Sequence, residues 1–370
     1  PGLINMHVHL AGNGAHSGKQ KDNKKTVGFL FSNPVTKAIA YQIVCNFAKL
    51  ELYGGVTTIR TVGGLKDLDT RLRNEIKAGK KTGPTILAAN EGITVEGGHM
   101  AGSVARVARN NEEAKHFVEA SYAQGVDLVK LMVTGGVLDA KEKGVPGEMK
   151  MPEDMIQTIC KKAHQLGLLT SAHVESTEGV KAALRNGVDS IEHGAKPDQE
   201  MIDLFKEKKA FLITTLSPAL PFALFDPSVS KVDDTQLFNG KMVFDGIVEC
   251  SKAALENHIP VGLGNDVGCP WITQYDFYRE LVYFHKYVGV TNGFALYTAT
   301  LQNAILAGIS DVTGSIDAGK QADMIVVKEN PLDDLNALKN IDIVFTKGKM
   351  VHPKIKRDKE IEKRLDAFCK

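Results

Sequence analysis

The sequence is poor in cysteine, and its few cysteines are spaced for neither disulfides nor a thiolate metal site. Five occur in 370 residues, no two have CxxC spacing, and their number is odd: Cys45, Cys160, Cys250, Cys269 and Cys369. Disulfide frameworks require pairs, and structural zinc sites require closely spaced thiolates. We therefore expect free thiols and a cytoplasmic location.

The sequence also lacks an excess of charge and any long apolar run. Its formal net charge is +1, which gives no electrostatic reason to bind nucleic acid or an anionic membrane. No apolar stretch approaches the roughly 20 residues of a membrane-spanning helix, and no signal peptide is visible. We expect a small-molecule or dipeptide-like substrate and no nucleic-acid or membrane partner, and we leave a homo-oligomer open.

The sequence is instead rich in a repeated pattern of β-branched runs separated by helix-length segments. Three copies are GGVTTIRTVGG at 54–64, QGVDLVKLMVTGG at 124–136 and NGVDSIEHG at 186–194. Four looser copies and the opening run bring the number of strands to about eight. The segments between them read as helices, among them 34–52, Leu68–Lys80, Asn111–Gln124, Pro152–Leu166 and Phe238–Asn257. This alternation predicts an α/β protein with a (β/α)8 TIM barrel, and a doubly wound open sheet is the alternative.

The pattern changes after Asp266. Segments such as GSIDAGKQADMIVV and IDIVFTKGKMVHP read as β-strands joined by glycine and proline turns. We place the barrel at 1–312, a small β-sandwich appendage at 313–353 and a C-terminal helix at 354–370. Because so few strands need partners to be stable, we expect complementary N-terminal strands to lie outside this sequence, which begins at Pro1.

Polar residues end several of the predicted strands, where the carboxyl ends of a parallel sheet meet. They are His7, His9, Lys130, His173, His193 and Asp266. Imidazole and carboxylate donors without sulfur suit Zn, Mn, Fe, Ni or Co. A charged lysine is costly to bury in the apolar run around Lys130, so we expect its amine to be neutral, paired or modified. The pattern predicts a metal site.

Several motifs resemble those of the amidohydrolase superfamily. PGLINMHVH resembles its first-strand PGLID-x-HxH signature, with Asn5 in place of Asp. GVTTIRTVGG and GGHM resemble the GVTTVRD-x-GG and GGHG segments of imidazolonepropionase-related, prolidase-like and zinc carboxypeptidase-like members, with Thr61 and Met100 as departures. The likeness covers nearly the whole chain, because GSIDAGKQADMIVV resembles the family's β-sandwich segment.

This resemblance implies a binuclear centre with two divalent ions, expected to be zinc. One ion is assigned to His7, His9 and Asp266, the other to His173 and His193, and a carboxylated Lys130 bridges them. The resemblance also implies amide hydrolysis through a metal-bridging hydroxide, with Asp266 relaying its proton to the leaving amine. His99 is expected to bind the substrate carbonyl or oxyanion, and Arg60 to support the site or meet a substrate carboxylate.

The resemblance leaves three functional alternatives. The first is a hydrolase of an amide or peptide-like C–N bond, with dipeptidase or carboxypeptidase activity as the leading substrate class. The second is a cyclic-amide hydrolase or a deaminase of a heterocycle. The third is a catalytically silent barrel that acts as an interaction protein, although a silent scaffold has no need of six metal-competent side chains at one rim.

Overall fold

Parallel β-strands form the centre of the molecule. The computed structural model describes residues 1–14 and 23–369. A three-stranded sheet has the order β1 (Leu3–Val8), β2 (Val56–Thr61), β3 (Thr85–Ala88). A seven-stranded sheet consists, in chain order, of β4 (Gly92–Thr94), β5 (Ala105–Val107), β6 (Leu128–Met132), β7 (Leu169–Val174), β8 (Ser190–His193), β9 (Phe211–Thr214) and β10 (Val261–Leu263). Its spatial order is β10-β9-β8-β7-β6-β4-β5, and every pairing in both sheets is parallel.

All eight predicted strands are present. The prediction missed β4 and β5, whose three residues each are too few to show a hydrophobic period. β1 and β2 are buried along their whole length, as expected for parallel strands covered on both faces.

Hydrogen bonds connect the two parallel sheets at both edges of the smaller one. Beside β1, the Asp266 amide donates to the His7 carbonyl at 3.0 Å, and the His9 amide donates to the Val267 carbonyl at 3.1 Å. Beside β3, the Asp127 amide donates to the Ala88 carbonyl at 2.7 Å. Both edges of the three-stranded sheet therefore contact the seven-stranded sheet.

Helices connect the strands, and polar caps begin most of them. Asn33, for example, accepts hydrogen bonds from Val35 and Thr36 at the start of the second helix, with Pro34 at its first position. The helices that precede the C-terminal sheet are α1 (Asn23–Leu30), α2 (Pro34–Tyr53), α3 (Leu68–Lys77), α4 (Asn111–Ala123), α5 (Glu153–Gln165), α6 (Thr177–Arg185), α7 (Gln199–Lys208), α8 (Leu216–Leu224), α9 (Pro227–Ser230), α10 (Asp234–Glu256), α11 (Phe277–Tyr283), α12 (Asn292–Tyr297) and α13 (Asn303–Leu306). π-helical turns at Phe284–Val288 and Thr298–Gln302 follow α11 and α12.

One helix starts earlier than predicted. The sequence places a helix at Phe238–Asn257, whereas α10 begins at Asp234. The physical reason is a capping box: Asp233 accepts from the Gln236 amide, and the Gln236 side chain accepts from the Asp233 amide. The cap precedes the apolar period on which the prediction depended.

A small antiparallel sheet follows the parallel strands, as predicted. It has the order β11 (Met324–Val327), β12 (Ile341–Thr346), β13 (Lys349–Val351). The Gly2 amide donates to the Asp323 carbonyl at 2.9 Å, so this sheet adjoins the start of β1. A 3-10 helix at Leu335–Lys339 lies within it, and α14 (Lys359–Leu365) with a 3-10 turn at Asp366–Phe368 follows.

Within 1–14 and 23–369, none of the helices combines the length and the apolar character that crossing a bilayer requires.

Candidate metal centre

The predicted metal ligands come together at the carboxyl ends of the parallel strands. His7 and His9 lie at the end of β1, His173 and His193 at the ends of β7 and β8, and Asp266 follows β10. The His7 ring centroid is 5.2 Å from that of His9 and 4.9 Å from that of His193, and His193 is 4.7 Å from His173. Residues far apart in the sequence therefore form one cluster of imidazoles.

Two overlapping groups in this cluster could hold an ion. In the first, ligand atoms of His7, His193 and Asp266 all lie within 4.8 Å of one another. In the second, the same holds for His173, Glu175 and His193. His193 belongs to both groups and so lies between two potential metal positions.

Hydrogen bonds at the far side of each ring fix which nitrogen faces the cluster. Nδ1 of His7 contacts Glu192 Oε2 at 2.7 Å, Nδ1 of His9 contacts the Gly63 carbonyl at 2.7 Å, and Nδ1 of His193 contacts Thr215 Oγ1 at 2.6 Å. Each contact leaves Nε2 for a metal. His173 has the opposite arrangement, because its Nε2 lies 3.2 Å from the Gly135 carbonyl and Nδ1 remains. Such partners fix tautomer and orientation in metal-binding histidines.

The two histidines at the ends of β7 and β8 are held in their neutral form. Burial lowers the pKa of both His173 and His193 well below the usual range, and the charges of neighbouring groups, among them His99, His7 and Lys130, contribute. Neutral imidazole is the form that ligates metals.

Asp266 faces the β1 histidines with one oxygen. Its Oδ1 is 3.1 Å from His9 Nε2 and 3.4 Å from His7 Nε2. Although burial alone would raise the pKa of Asp266, the charges and hydrogen bonds of the two histidines hold it well below the usual range. The carboxylate is therefore ionised and directed at the same point as both rings.

Two of the clustered residues have a left-handed backbone. φ is 69° at His193 and 50° at Asp266. Such a φ costs roughly 1–2 kcal/mol for a residue with a side chain. At His193 it ends the extended backbone, so that His193 and Glu192, which would point to opposite faces of a regular strand, both contact His7.

Lys130 occupies the third of the five residues of β6 and is 1% exposed. Among the described residues its Nζ has no hydrogen-bond partner. Burial lowers its pKa to about 8, with the charge of Arg60 adding to the effect and those of Glu192 and Asp266 opposing it. An amine in this state is far more nucleophilic at neutral pH than an ordinary lysine.

Arg60 lies inside the protein and contacts Glu192. Its Nη2 donates to Glu192 Oε1 at 2.6 Å and its Nε to the Met6 carbonyl at 2.8 Å. Glu192 also accepts from Ser171 at 2.7 Å. These contacts favour the supporting role for Arg60 over contact with a substrate carboxylate. Although burial alone would raise the pKa of Glu192, Arg60 and His7 keep it well below the usual range.

The sequence interpretation did not single out Glu192. The sequence nevertheless contained a signal for Glu192, which lies in the buried run SIEH. Burying an unpaired carboxylate there is as costly as burying the amine of Lys130 without a partner. His7 and Arg60, its partners, precede it by 185 and 132 residues.

His99 stacks on His173 at the edge of the cluster. Their ring centroids are 4.1 Å apart with an interplanar angle of 4°. Its Nδ1 lies 2.5 Å from Asp139 Oδ2. Burial alone would raise the pKa of Asp139, but the hydrogen bond and charge of His99 lower it. His99 therefore lies where it can reach a group bound at His173, and Asp139, a loop residue with no sequence signal, orients it.

Glu175 is a second residue that the sequence interpretation missed. It lies two residues after His173, just beyond β7, and its Oε2 accepts from the Val137 amide at 3.1 Å. Burial raises its pKa to about 8, and the charges of Asp266 and Asp139 add to that effect.

The residues present fit a divalent metal. Among the described residues, the cluster combines four imidazoles, carboxylates and a buried lysine without a hydrogen-bond partner, and it includes no thiolate. Cys269, the cysteine near Asp266, has a pKa raised well above the usual range by burial and by the charge of Asp266, which disfavours the thiolate that binds metals.

The chain is similar to known hydrolases over most of its length. The model of the amidohydrolase family, whose members are typically metal-dependent, matches residues 1–351. A provisionally named prolidase from Bifidobacterium longum is 36% identical, with a TM-score of 0.86, over 99% of this chain and 84% of that one. A Xaa-Pro dipeptidase crystallised with methionine in its active site is 28% identical, with a TM-score of 0.81, over 95% and 86%. Ochratoxinase from Aspergillus niger is 24% identical over 95% of this chain and 75% of its own length. The chain therefore belongs to the amidohydrolase family and is a hydrolase acting on carbon–nitrogen bonds.

Proposed function

We propose that the protein is a binuclear metal-dependent hydrolase of an amide or peptide-like bond, with a dipeptide as its substrate class. The observation that carries the proposal is the buried Lys130 amine, which has no hydrogen-bond partner among the described residues and is surrounded by metal-competent side chains. A buried amine without a partner is costly in either protonation state. Addition of CO2 with loss of a proton converts it to a carboxylate that can ligate.

We assign the ligands as follows. His7, His9 and Asp266 would hold one ion, His173 and His193 the other, and carboxylated Lys130 would bridge them. Zinc is our first choice, because nitrogen and oxygen donors suit it. Bound divalent ions would polarise the scissile carbonyl and lower the pKa of water.

Side chains of the protein would then transfer the proton and stabilise the oxyanion. Asp266, ionised beside His7 and His9, would accept a proton and pass it to the leaving amine. His99, whose Nδ1 contacts Asp139, would direct its Nε2 at the carbonyl oxygen as a hydrogen-bond donor. Both roles require only groups that already face the cluster.

The architecture proposed for this chemistry is a closed (β/α)8 barrel at 1–312, followed by a small β-sandwich segment at 313–353 and a C-terminal helix at 354–370. The hydrogen bonds that connect β1 with the end of β10, and β3 with the start of β6, support closure. In TIM barrels the active site lies at the carboxyl ends of the strands, where these ligands lie.

Two relatives guide the choice of substrate. The names of a prolidase and of a Xaa-Pro dipeptidase point to dipeptides. We therefore expect cleavage of dipeptides, with Xaa-Pro sequences to be tried first.

The decisive experiment combines elemental analysis with a dipeptide library. Wild type and Lys130→Ala are purified and reconstituted identically with Zn²⁺ and bicarbonate. About two metals per chain in wild type, fewer in the variant, and release of free amino acids support the proposal. One metal in both proteins would favour a mononuclear cyclic-amide hydrolase or deaminase. Failure to bind any metal would favour an interaction protein.

A further inference from the structure

Glu175 lies where a third ligand of the metal assigned to His173 and His193 would lie. Ligand atoms of the three residues lie within 4.8 Å of one another. The assignment based on family motifs gives this ion two protein imidazoles and the Lys130 carboxylate only. Two histidines and a glutamate form a ligand set that holds catalytic zinc in other enzymes.

The segment that carries Glu175 is fixed at several points. Its amide donates to the Thr134 hydroxyl oxygen at 3.1 Å, and its carboxylate accepts from the Val137 amide at 3.1 Å. A side chain at residue 147 would come within 2.4 Å of the Glu175 carbonyl, so only glycine fits there. The backbone around Glu175 is therefore held by Thr134 and Gly147, and its carboxylate is held by Val137.

The hydrogen bonds of the carboxylate leave room for a cation. An ionised carboxylate offers about four acceptor positions, and the hydrogen bond described for Glu175 is the one from Val137. Asp139 and Asp266 are the neighbouring acids that add to the negative charge there. A divalent ion at His173 and His193 would compensate for that charge.

We propose that Glu175 is a ligand of the metal held by His173 and His193, and that this ion therefore binds without the Lys130 carboxylate. The inference rests on the binuclear centre proposed above and adds a ligand to it. It has a distinctive consequence: removing the lysine should leave the position at His173 and His193 occupied, and removing both Lys130 and Glu175 should weaken metal binding at that position.

The test measures Zn²⁺ binding and not activity. Wild type, Lys130→Ala, Glu175→Gln and the double variant are stripped with a chelator and dialysed against Zn²⁺ buffered at fixed free concentrations. Metal per chain is then determined by elemental analysis. Glu148→Gln is the matched control, because Glu148 lies in the loop after β6, next to the loop that carries Glu175, pairs with Lys150 and is 60% exposed. Unfolding of the metal-free proteins shows whether each variant is folded.

The expected result is two metals in wild type and about one in Lys130→Ala. Glu175→Gln should weaken that remaining metal at least about tenfold in the Lys130→Ala protein, whereas Glu148→Gln should leave it unchanged. Glutamine is nearly isosteric with glutamate, so a folded variant with lost metal supports ligation.

Other outcomes overturn the inference. If wild type binds two metals and Lys130→Ala binds none, the second position depends on the lysine; the proposed function then stands and the role of Glu175 does not. The role of Glu175 is also ruled out if Glu175→Gln binds Zn²⁺ as tightly as its parent protein, even if its KM for a dipeptide rises. The proposed function stands in that case too. If wild type binds no metal, both proposals fail.

Discussion

The metal cluster has two halves that are stabilised in different ways. The β1 half consists of His7, His9, Asp266, Glu192 and Arg60, and it is a closed network of buried charges on strands. The β7 half consists of His173, Glu175, His99 and Asp139, and its polar groups are held largely by the loops that follow β4, β6 and β7. Strands hold side chains more rigidly than loops do. Substitutions in the β1 half should therefore mainly lower the free energy of unfolding, whereas the side-chain positions in the β7 half should depend on contacts within the loops.

The largest expected effect comes from removing the cation at the centre of the β1 half. Arg60→Ala leaves Glu192 buried with a lost partner, and we expect a loss of about 3–5 kcal/mol in the free energy of unfolding. Urea unfolding of the metal-free protein measures it. Arg109→Ala is the control, because Arg109 is 78% exposed in its pair with Glu113 and should cost less than about 1 kcal/mol. Equal losses in the two variants would contradict the proposed network.

A further buried carboxylate, that of Asp69 in α3, lies near the β1 half. Asp69 is 1% exposed, and its carboxylate packs against Gly64. Neither carboxylate oxygen has a hydrogen-bond partner among the described residues. Burial raises its pKa to about 6, against the effects of the nearby Thr61 hydroxyl and the charge of His9.

The pH dependence follows from that shift. The folded state keeps the proton of Asp69 at pH values where the unfolded state has lost it. The contribution of Asp69 to the free energy of unfolding is therefore greatest below about pH 4 and falls as the pH rises to about 6. A shift of about two units corresponds to about 3 kcal/mol. We expect Asp69→Asn to gain that much on wild type between pH 4 and pH 7 in urea titrations, with Asp67→Asn as control. A constant difference across this range would show that Asp69 does not titrate in this way.

Gly264, which directly follows β10, tests how closely the backbone at the end of β10 approaches His7 in β1. A Cβ at Gly264 would lie 2.4 Å from the Cβ of His7 and 2.6 Å from its backbone nitrogen. Gly264→Ala should therefore cost about 1–3 kcal/mol and weaken metal binding, because His7 must move. Gly28→Ala is the control: Gly28 lies in α1, a Cβ there would meet none of the described residues within 4 Å outside the helix's own backbone, and alanine is the better helix former. Unchanged metal affinity in Gly264→Ala would indicate that His7 is not a ligand.

The smallest effect is expected in the β7 half. Asp139→Asn keeps an acceptor for His99 and removes its charge, so we expect kcat on the best dipeptide to fall about tenfold, or about 1.4 kcal/mol. KM and the free energy of unfolding should change little. Glu148→Gln serves again as control. A stability loss comparable to that of Arg60→Ala would mean that the two halves are not held differently.

Most of the fold could be predicted because each element has a local signal. The eight runs that form β1, β2, β3 and β6–β10 are mostly apolar and β-branched, and most of them have glycine beside them, whereas β4 and β5 are too short to show a period. The boundary of α10 was wrong because the capping box of Asp233 lies outside its apolar face.

The candidate site could be predicted only where chemistry and strand position coincide. His7, His9, His173 and His193 end strands in the sequence, and parallel strands bring their carboxyl ends together. Asp139 and Glu175 stand in loops, whose paths depend on contacts such as Gly147 against Glu175 that no local pattern encodes.

The sequence by itself determined the family, the strand-end ligand candidates and the cost of burying Lys130, because each depends on residue type and local periodicity. Only the tertiary structure decided which nitrogen of each histidine faces the cluster, that Arg60 contacts Glu192, and that Glu175 joins His173 and His193. These contacts connect residues on different strands and loops, and hydrogen-bond partners across such separations are set by how the strands assemble.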